Sequence, residues 1–172
     1  MGPNDTGGAE ANDDPVVVLR RIYPPLRAMA GSLVGSLGAD DLVQEALVDV
    51  LTHHPRFAGL RSPLAYSKVV LARLAYRGRR PPGAPGEILD SLAERGHRDF
   101  TDDVVLRNVV LAALERLPKR QRACIYLRFI EGLDDRQIGR VLGCRPVTVR
   151  TQTSRALKSL RPLLLKEGLS DV

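Results

Sequence analysis

The sequence near its C-terminal end carries side chains suited to contacting a polyanion. Between Arg145 and Arg161 every charged residue is basic. At helical spacing the short and basic side chains share one face, as contacts to phosphates and base edges in a DNA major groove require. The face and its neighbours are Arg145, Val147, Thr148, Arg150, Thr151, Ser154, Arg155 and Lys158. The alternative interpretation is a helical hairpin whose basic face is merely solvated.

The residues before this helix have the turn chemistry of a helix-turn-helix. Asp134 is suited to cap a helix that runs to about Leu142. Gly139 is small where the two helices would cross, and Gly143 permits the tight turn between them. Pro146 suits the first position of the last helix. The side chains of that helix expected to face the core are Val149, Thr153, Ala156 and Leu160.

Composition agrees with a nucleic-acid partner without requiring one. The 172 residues fit one medium domain or two small ones, and their formal charge is +6 with a pI of about 9.8. The acidic, polar N-terminus lacks a signal segment, and no apolar run is long enough to span a membrane. We therefore expect a cytoplasmic protein without membrane insertion.

Few residues are suited to catalysis or to metal binding. Cys124 and Cys144 lack CxxC or CxxH neighbours, which predicts reduced thiols in packing positions, with a redox pair as the minor alternative. The three histidines are His53, His54 and His97, and the adjacent pair lies at a helix end. No nucleophile motif, phosphate loop or paired carboxylate site is evident. The sequence therefore predicts no enzyme, no cofactor and no metal site.

The first half has helical periodicity interrupted by proline and glycine. Asp14 and Pro15 begin a helix that Pro24-Pro25 should end or kink, and a second piece from about Leu26 to Leu37 should close at Gly38. Asp40 should begin the next helix, which ends at His53-His54. Its apolar stripe is predicted to contain Leu42, Val43, Ala46, Leu47, Val50 and Leu51. Ser62-Pro63 should open a helix to about Arg77, with Leu64, Leu71 and Leu74 towards the core.

A linker should separate this half from a second helical unit. The segment PPGAPG (81–86) cannot form regular structure, and acidic residues follow it. Helical spacing returns near Asp103, stops at Pro118, and resumes from about Lys119 to Ile130, before Gly132. No strand pattern is present, so the predicted fold is all-α: two small helical bundle domains joined by a flexible linker, the second containing the helix-turn-helix. The predicted divisions are a disordered tail 1–13, a domain 14–80, the linker 81–102, a domain 103–165 and a tail 166–172.

The chain resembles the extracytoplasmic-function (ECF) group of bacterial sigma factors over most of its length. LPKRQRACIYLRFIEGLDDRQIGRVLGCRPVTVRTQTSRALKSLR (Leu117–Arg161) is similar in order and spacing to the family's fourth conserved region. ADDLVQEALVDV (Ala39–Val50) is similar to the signature helix of its second region. The resemblance implies a protein that binds the clamp and flap of core RNA polymerase and directs promoter recognition and transcription initiation. An anti-sigma factor is a further partner common in the family, although no residue identifies one.

The resemblance assigns roles to three faces. The basic face of the last helix, from Arg145 to Lys158, lies in the fourth region and would read the upstream (minus-35) element. Acidic and amide side chains suited to a basic helical partner would bind the core polymerase, namely Asp41, Gln44, Glu45 and Asp49. Aromatic and basic side chains, which suit stacking on bases and contact with phosphates, would capture the melted minus-10 strand. These are Tyr66, Lys68, Arg73, Tyr76, Arg77, Arg79 and Arg80. The alternatives are a solvated acidic face and tyrosines packed in a helical core.

The chain departs from the family pattern at several positions. Tyr66 stands where the family usually has Trp, and Leu71 or Arg73 stands near a frequent Asn. Gln152 replaces a frequent basic residue, and Arg145 occupies the N-cap of the last helix, from which it would reach a phosphate. These differences bear on strand opening and on upstream sequence preference.

Two other classes of protein share some of these features. A helix-turn-helix activator would need a receiver or ligand-binding domain, and residues 15–80 lack the alternating strands and spaced acids of a receiver. A sigma-like interaction protein without initiation activity would keep the binding faces and lack promoter function.

Overall fold

The computed structural model describes residues 14–77 and 112–166. Within these two ranges the regular elements are helical and no strand occurs, which confirms the all-α prediction. The predicted tail 1–13, the linker 81–102 and residues Arg79 and Arg80 lie outside the described residues, as does the predicted tail 166–172 after its first residue.

Helix α1 spans Pro15–Val34 and is capped by Asp14, whose carboxylate accepts a 2.8 Å hydrogen bond from the Val16 amide. Of the two outcomes predicted for Pro24-Pro25, an end or a kink of the helix, the first is wrong, because α1 continues through both prolines. An interior proline costs about 3 kcal/mol. Burial of Ile22 and Leu26 on either side of the pair helps to offset that cost.

Helix α2 spans Ser36–His53, so it begins earlier than predicted. Gly35 makes the break between α1 and α2 with φ of 84°, a conformation that favours glycine, and Gly38 is helical. Asp40 is therefore not an N-cap. Its carboxylate instead accepts 2.8 Å hydrogen bonds from the Tyr23 hydroxyl and from Nε of Arg27, which tie α2 to α1.

Helix α3 spans Pro63–Arg77, as predicted, after a short 3-10 turn at Phe57–Gly59. The Ser62 hydroxyl accepts a hydrogen bond from the Ala65 amide at 3.3 Å and caps the helix. Leu71 and Leu74 are buried and Leu64 is half-buried, in agreement with the predicted leucine face. The opposite face is also buried, since Tyr66, Val69 and Tyr76 are each less than a tenth exposed.

The second half contains a helical turn at 112–115 and three further helices. Helix α4 spans Lys119–Ile125 and continues as a π-helical turn over Tyr126–Ile130. Helix α5 spans Asp135–Leu142, and helix α6 spans Pro146–Lys166.

Both halves contribute to one hydrophobic core, which the prediction of two separate bundles did not anticipate. Val18, Leu71 and Val141 belong to the same cluster although they lie on α1, α3 and α5. A smaller cluster lies within the second half. Arg122 joins the halves: this buried guanidinium donates to the Leu33 carbonyl of α1 at 2.9 Å and to the Leu117 carbonyl at 3.0 Å.

Candidate DNA and polymerase interfaces

The helix-turn-helix is built as its turn residues predict. Asp134 and Gln137 form a capping box at the start of α5, with hydrogen bonds of 2.8 and 2.9 Å. Gly143 ends α5 in the left-handed conformation with φ of 61°. At Gly139 an added Cβ would lie 2.7 Å from the Cys144 carbonyl oxygen, so the close passage of α5 and the turn requires glycine.

Helix α6 buries one face and exposes the other. The predicted core residues Val149, Thr153, Ala156 and Leu160 are all buried. Seven of the eight side chains predicted to read the minus-35 element are exposed and Thr148 is half-buried, so α6 and the turn before it bring the whole set to one surface. The Thr151 hydroxyl donates to the Val147 carbonyl at 2.9 Å, so this donor already has a backbone partner.

Asp135 is a contributor to this surface that the sequence analysis did not identify. One carboxylate oxygen accepts from Arg128, and the other lies 3.4 Å from Nε of Arg150 on α6. Because Arg150 is two-thirds exposed, the contact orients its guanidinium without burying it. The signal was a second acid directly after the N-cap Asp134.

Arg145 and Gln152 are the two positions on this surface at which the sequence departs from the pattern described above. Arg145 is exposed, and its carbonyl accepts hydrogen bonds from Thr148 and Val149 at the start of α6. Gln152 is half-buried at the edge of the exposed face. Arg145 is therefore available to contact a phosphate, while Gln152 offers only part of its side chain.

The acidic face of α2 is present and includes apolar side chains that were not predicted. Asp41, Gln44 and Glu45 are exposed, and Asp49 is half-buried with its carboxylate 3.3 Å from the His53 ring. Three apolar side chains add to the exposed surface of the same helix: Leu37, Val48 and Leu51. Leu51 had been predicted in the apolar stripe of the core and is 39% exposed. The face thus mixes acidic and apolar groups, a composition typical of protein interfaces.

Most of the strand-binding face predicted on α3 packs against the second half of the chain, whereas Tyr66 contacts His54 of the first half. Tyr66 is buried and its ring meets that of His54 edge-on at 5.2 Å. Tyr76 is buried too, and the Arg120 guanidinium lies 5.5 Å from its ring centre. The tyrosines are therefore core residues in this structure, as the alternative interpretation held.

The cations of the same face bind groups of the second half. Lys68 pairs with Glu131 at 2.8 Å, and both side chains are mostly buried. Arg73 donates to the carbonyls of Val141 and Arg140 at 2.6 and 3.3 Å. Arg77 donates to the carbonyl of Leu142 at 3.0 Å and to that of Gly143. Five of the seven residues predicted to hold single-stranded DNA are thus described, and four of them, Lys68, Arg73, Tyr76 and Arg77, contact the second half.

Burial at this junction shifts several pKa values. Desolvation lowers the pKa of Arg73 and of Arg122, which stay charged because arginine begins far above neutrality. Burial raises the pKa of the Tyr76 phenol to about 12, aided by the hydrogen bond to Cys144. Burial also raises the pKa of the Cys124 thiol to about 12, so this cysteine is a poor nucleophile.

Nothing in the described ranges gathers three or more side chains of the types that ligate metals. Cys124 and Cys144 are free thiols. Of the helices that can be described, none combines the length and apolar character needed to cross a bilayer.

Comparison with known proteins identifies the family. Residues 107–160, which include the helix-turn-helix, match the family model "Sigma-70, region 4". The chain is 31% identical over 158 residues to the ECF RNA polymerase sigma factor EcfG of Rhodopseudomonas palustris, covering 86% of this chain and 83% of that protein. The chain belongs to the ECF sigma factors of RNA polymerase.

Two further relatives agree with this assignment. The RNA polymerase sigma factor SigV of Bacillus subtilis is 31% identical over 133 residues, covering 76% of this chain and 78% of SigV. The sigma factor RpoE of Bartonella quintana, solved in complex with the anti-sigma factor NepR, superimposes with a TM-score of 0.57 at 26% identity. That match covers 87% of this chain and 96% of RpoE.

Proposed function

We propose that this ECF sigma factor directs core RNA polymerase to promoters through three separate faces. The observation that carries the proposal is the two-sided character of α6. Its buried stripe fixes the helix in the fold, while the exposed side presents the basic and short side chains from Arg145 to Lys158. This surface suits phosphate contacts for positioning and base-edge contacts for sequence readout of the minus-35 duplex.

The second face is the exposed side of α2, which we assign to the core polymerase. Its acidic and amide groups, Asp41, Gln44, Glu45 and Asp49, are complementary to a basic helical partner such as the clamp. The exposed Val48 adds apolar area between them. In this proposal residues 14–80 form the domain that binds the core and the minus-10 element, and residues 103–165 form the domain that contacts the flap and the minus-35 element.

The third face is the aromatic and basic side of α3, which we assign to the melted minus-10 strand. Tyr66, Lys68, Arg73, Tyr76 and Arg77 combine rings that stack on bases with cations that contact phosphates. Arg79 and Arg80 continue this set beyond the described residues. For the side chains of α3 that contact the second half to bind a strand, α3 must separate from that half.

The partners follow from these faces. Core polymerase and promoter DNA are cytoplasmic in bacteria, so we assign the chain to the cytoplasm. The relative RpoE binds an anti-sigma factor, which supports an anti-sigma factor as a candidate partner here. Within residues 14–77 and 112–166 we find no set of side chains that supports chemistry by the chain itself, so we assign it no enzymatic reaction.

The salt dependence of duplex binding tests the assignment of α6. Arg155→Ala or Lys158→Ala should weaken binding to promoter duplex and reduce the magnitude of the slope of log affinity against log salt by about one. The reason is that each phosphate contact releases counterions from the DNA, so binding with one contact fewer releases fewer of them. Arg20 is exposed on α1, so Arg20→Ala removes an equal charge away from α6 and serves as the matched control. If both α6 variants keep the wild-type affinity and slope, α6 is not the duplex-binding surface.

A further inference from the structure

The carboxylate of Asp135 contacts two arginines that belong to different elements. Asp135 is the first residue of α5, where the capping box of Asp134 and Gln137 fixes the backbone. One of its carboxylate oxygens accepts a hydrogen bond from Arg128 of the π-helical turn. The other oxygen lies 3.4 Å from Nε of Arg150 on α6. The π-helical turn, α5 and α6 therefore meet at this carboxylate.

The members of this group differ in exposure. The side chains of Arg128 and Asp135 are 29% and 25% exposed, whereas that of Arg150 is 69% exposed. Because Arg128 holds one carboxylate oxygen, Asp135 cannot turn freely about its side-chain bonds. The oxygen offered to Arg150 consequently has a defined position, and Arg150 is the member of the group that DNA can reach.

Arg150 lies where a recognition helix contacts bases. It is near the start of α6, and residues near the N-terminal end of such a helix reach base edges in the major groove. A guanidinium fits guanine through two N–H donors that are directed at O6 and N7. When a carboxylate holds Nε, the two terminal nitrogens form the edge that remains for a base.

A negative charge beside this surface works against general DNA binding. Between Arg145 and Arg161 every charged residue is basic, so the acid that meets Arg150 comes from another element. Asp135 lowers the local positive potential that attracts phosphates. Its contact with so exposed an arginine also adds little to folding stability, because solvent screens the pair. What the contact supplies is a fixed orientation of the guanidinium, which a base contact needs and attraction to phosphate does not.

We propose that Asp135 is a specificity-determining residue of duplex recognition, which holds Nε of Arg150 so that the terminal nitrogens of the guanidinium meet one guanine of the upstream element. The proposal rests on the duplex-reading role assigned to α6 above. Asp135 acts through Arg150 and is a positioning residue. Without Asp135, the side chain of Arg150 turns to a nearby phosphate, which attracts it equally at every sequence. Asp135 thus lowers general affinity and raises sequence preference.

Selection from a pool of duplexes measures sequence preference one base pair at a time. The full-length chain is mixed with duplex DNA that carries a randomised segment, and the bound fraction is sequenced. Wild type should enrich a short motif, and Arg150→Ala should lose the preference at the base pair that Arg150 reads. Asp135→Asn should lower the preference at that same base pair by about three- to tenfold, a part of the roughly five- to 150-fold that a good bidentate contact supplies. The preferences at the other base pairs should persist, which also shows that the variant is folded.

Two further variants test whether the effect runs through Arg150. The double variant Asp135→Asn, Arg150→Ala should have the same motif as Arg150→Ala alone, because Asp135 has no other route to the base. Arg128→Gln releases the second carboxylate oxygen, so it should lower the preference at the same base pair by a smaller factor. The affinity of Asp135→Asn for the unselected pool should equal or exceed that of wild type, because the variant removes a negative charge.

Asp40→Asn is the matched control for Asp135→Asn. It removes an equal charge and breaks a contact of the same kind, since the Asp40 carboxylate accepts from Nε of Arg27 at 2.8 Å. That pair joins α1 to α2 in the first half of the chain, away from α6. Asp40→Asn should therefore keep every preference of the wild-type motif.

The outcomes separate the positioning role from the assignment of α6. If Asp135→Asn keeps the full preference at the base pair that Arg150 reads, the positioning role is wrong and the assignment of α6 stands. An equal loss at every base pair, or the same loss in Asp40→Asn, overturns the role as well, because the effect is then one of folding or of net charge. A motif unchanged by Arg150→Ala, while Arg155→Ala weakens binding, also overturns the positioning role alone. If Arg150→Ala, Arg155→Ala and Lys158→Ala all keep the wild-type motif and affinity, α6 does not read the duplex, and the positioning role fails with it.

Discussion

Replacing Gly139 with alanine should break the helix-turn-helix at its tightest point. The new Cβ would lie 2.7 Å from the Cys144 carbonyl oxygen and 3.5 Å from the Pro146 nitrogen, and both neighbours are backbone atoms. Relief requires α5 to move away from the turn, an overpacking cost of about 1–3 kcal/mol. Alanine returns about 0.5–1 kcal/mol through its better helix propensity. The net loss of unfolding free energy should be between about 0 and 2.5 kcal/mol.

Gly31→Ala provides the matched control for this change. Gly31 is also helical, in the last turn of α1, and a Cβ there would have no neighbour within 4 Å. The control should therefore be neutral or gain up to about 1 kcal/mol. Urea unfolding of the two variants, compared with wild type, isolates the clash from the propensity difference between glycine and alanine.

Duplex binding provides the second readout of Gly139→Ala. Displacement of α5 changes the angle at which α6 is held, so the affinity for promoter duplex should fall while Gly31→Ala leaves it unchanged. If Gly139→Ala is as stable as Gly31→Ala and binds duplex normally, the close helix crossing does not set the geometry of the recognition surface.

Three further perturbations test other parts of the structure. Reversing Glu45 and Asp49 to lysine should impair capture of core polymerase while the protein still folds; normal capture by the folded double variant would remove α2 from the interface. Burial raises the pKa of Cys124 to about 12, so the native state keeps a proton that the unfolded chain releases above about pH 9. The free energy of unfolding should therefore fall as the pH rises from about 9 to 12, with a shallower fall in Cys124→Ala; equal slopes in urea unfolding would contradict this. Arg122→Lys should cost about 1–3 kcal/mol in the same assay, because an ammonium group cannot span the carbonyls that the guanidinium holds; an unchanged midpoint would refute that bridging role.

Local chemistry made the second half predictable from the sequence. Asp134, Gly139, Gly143 and Pro146 each meet a backbone requirement that depends on near neighbours in the chain, and each has its predicted role in the structure. The buried stripe of α6 (Val149, Thr153, Ala156 and Leu160) could be predicted for the same reason, since helical spacing decides which side chains share a face.

The errors arose where contacts distant in sequence decide the outcome. Helix α1 continues through Pro24-Pro25, and Asp40 binds Tyr23 and Arg27 instead of capping a helix. The packing of α3 against the second half could not be predicted either, because a basic and aromatic helix face has the same sequence pattern whether it contacts DNA or the carboxyl end of another helix. Only the three-dimensional arrangement brings the cations of α3 to the end of α5.

Run-off transcription with purified core RNA polymerase on a promoter library is the most direct test of the central claim. With this chain added, we expect discrete transcripts from a subset of promoters that core enzyme alone does not produce, and their loss with Arg155→Ala and Lys158→Ala. A chain that captures core polymerase yet yields no promoter-specific transcript would contradict the account and indicate a sigma-like interaction protein without initiation activity.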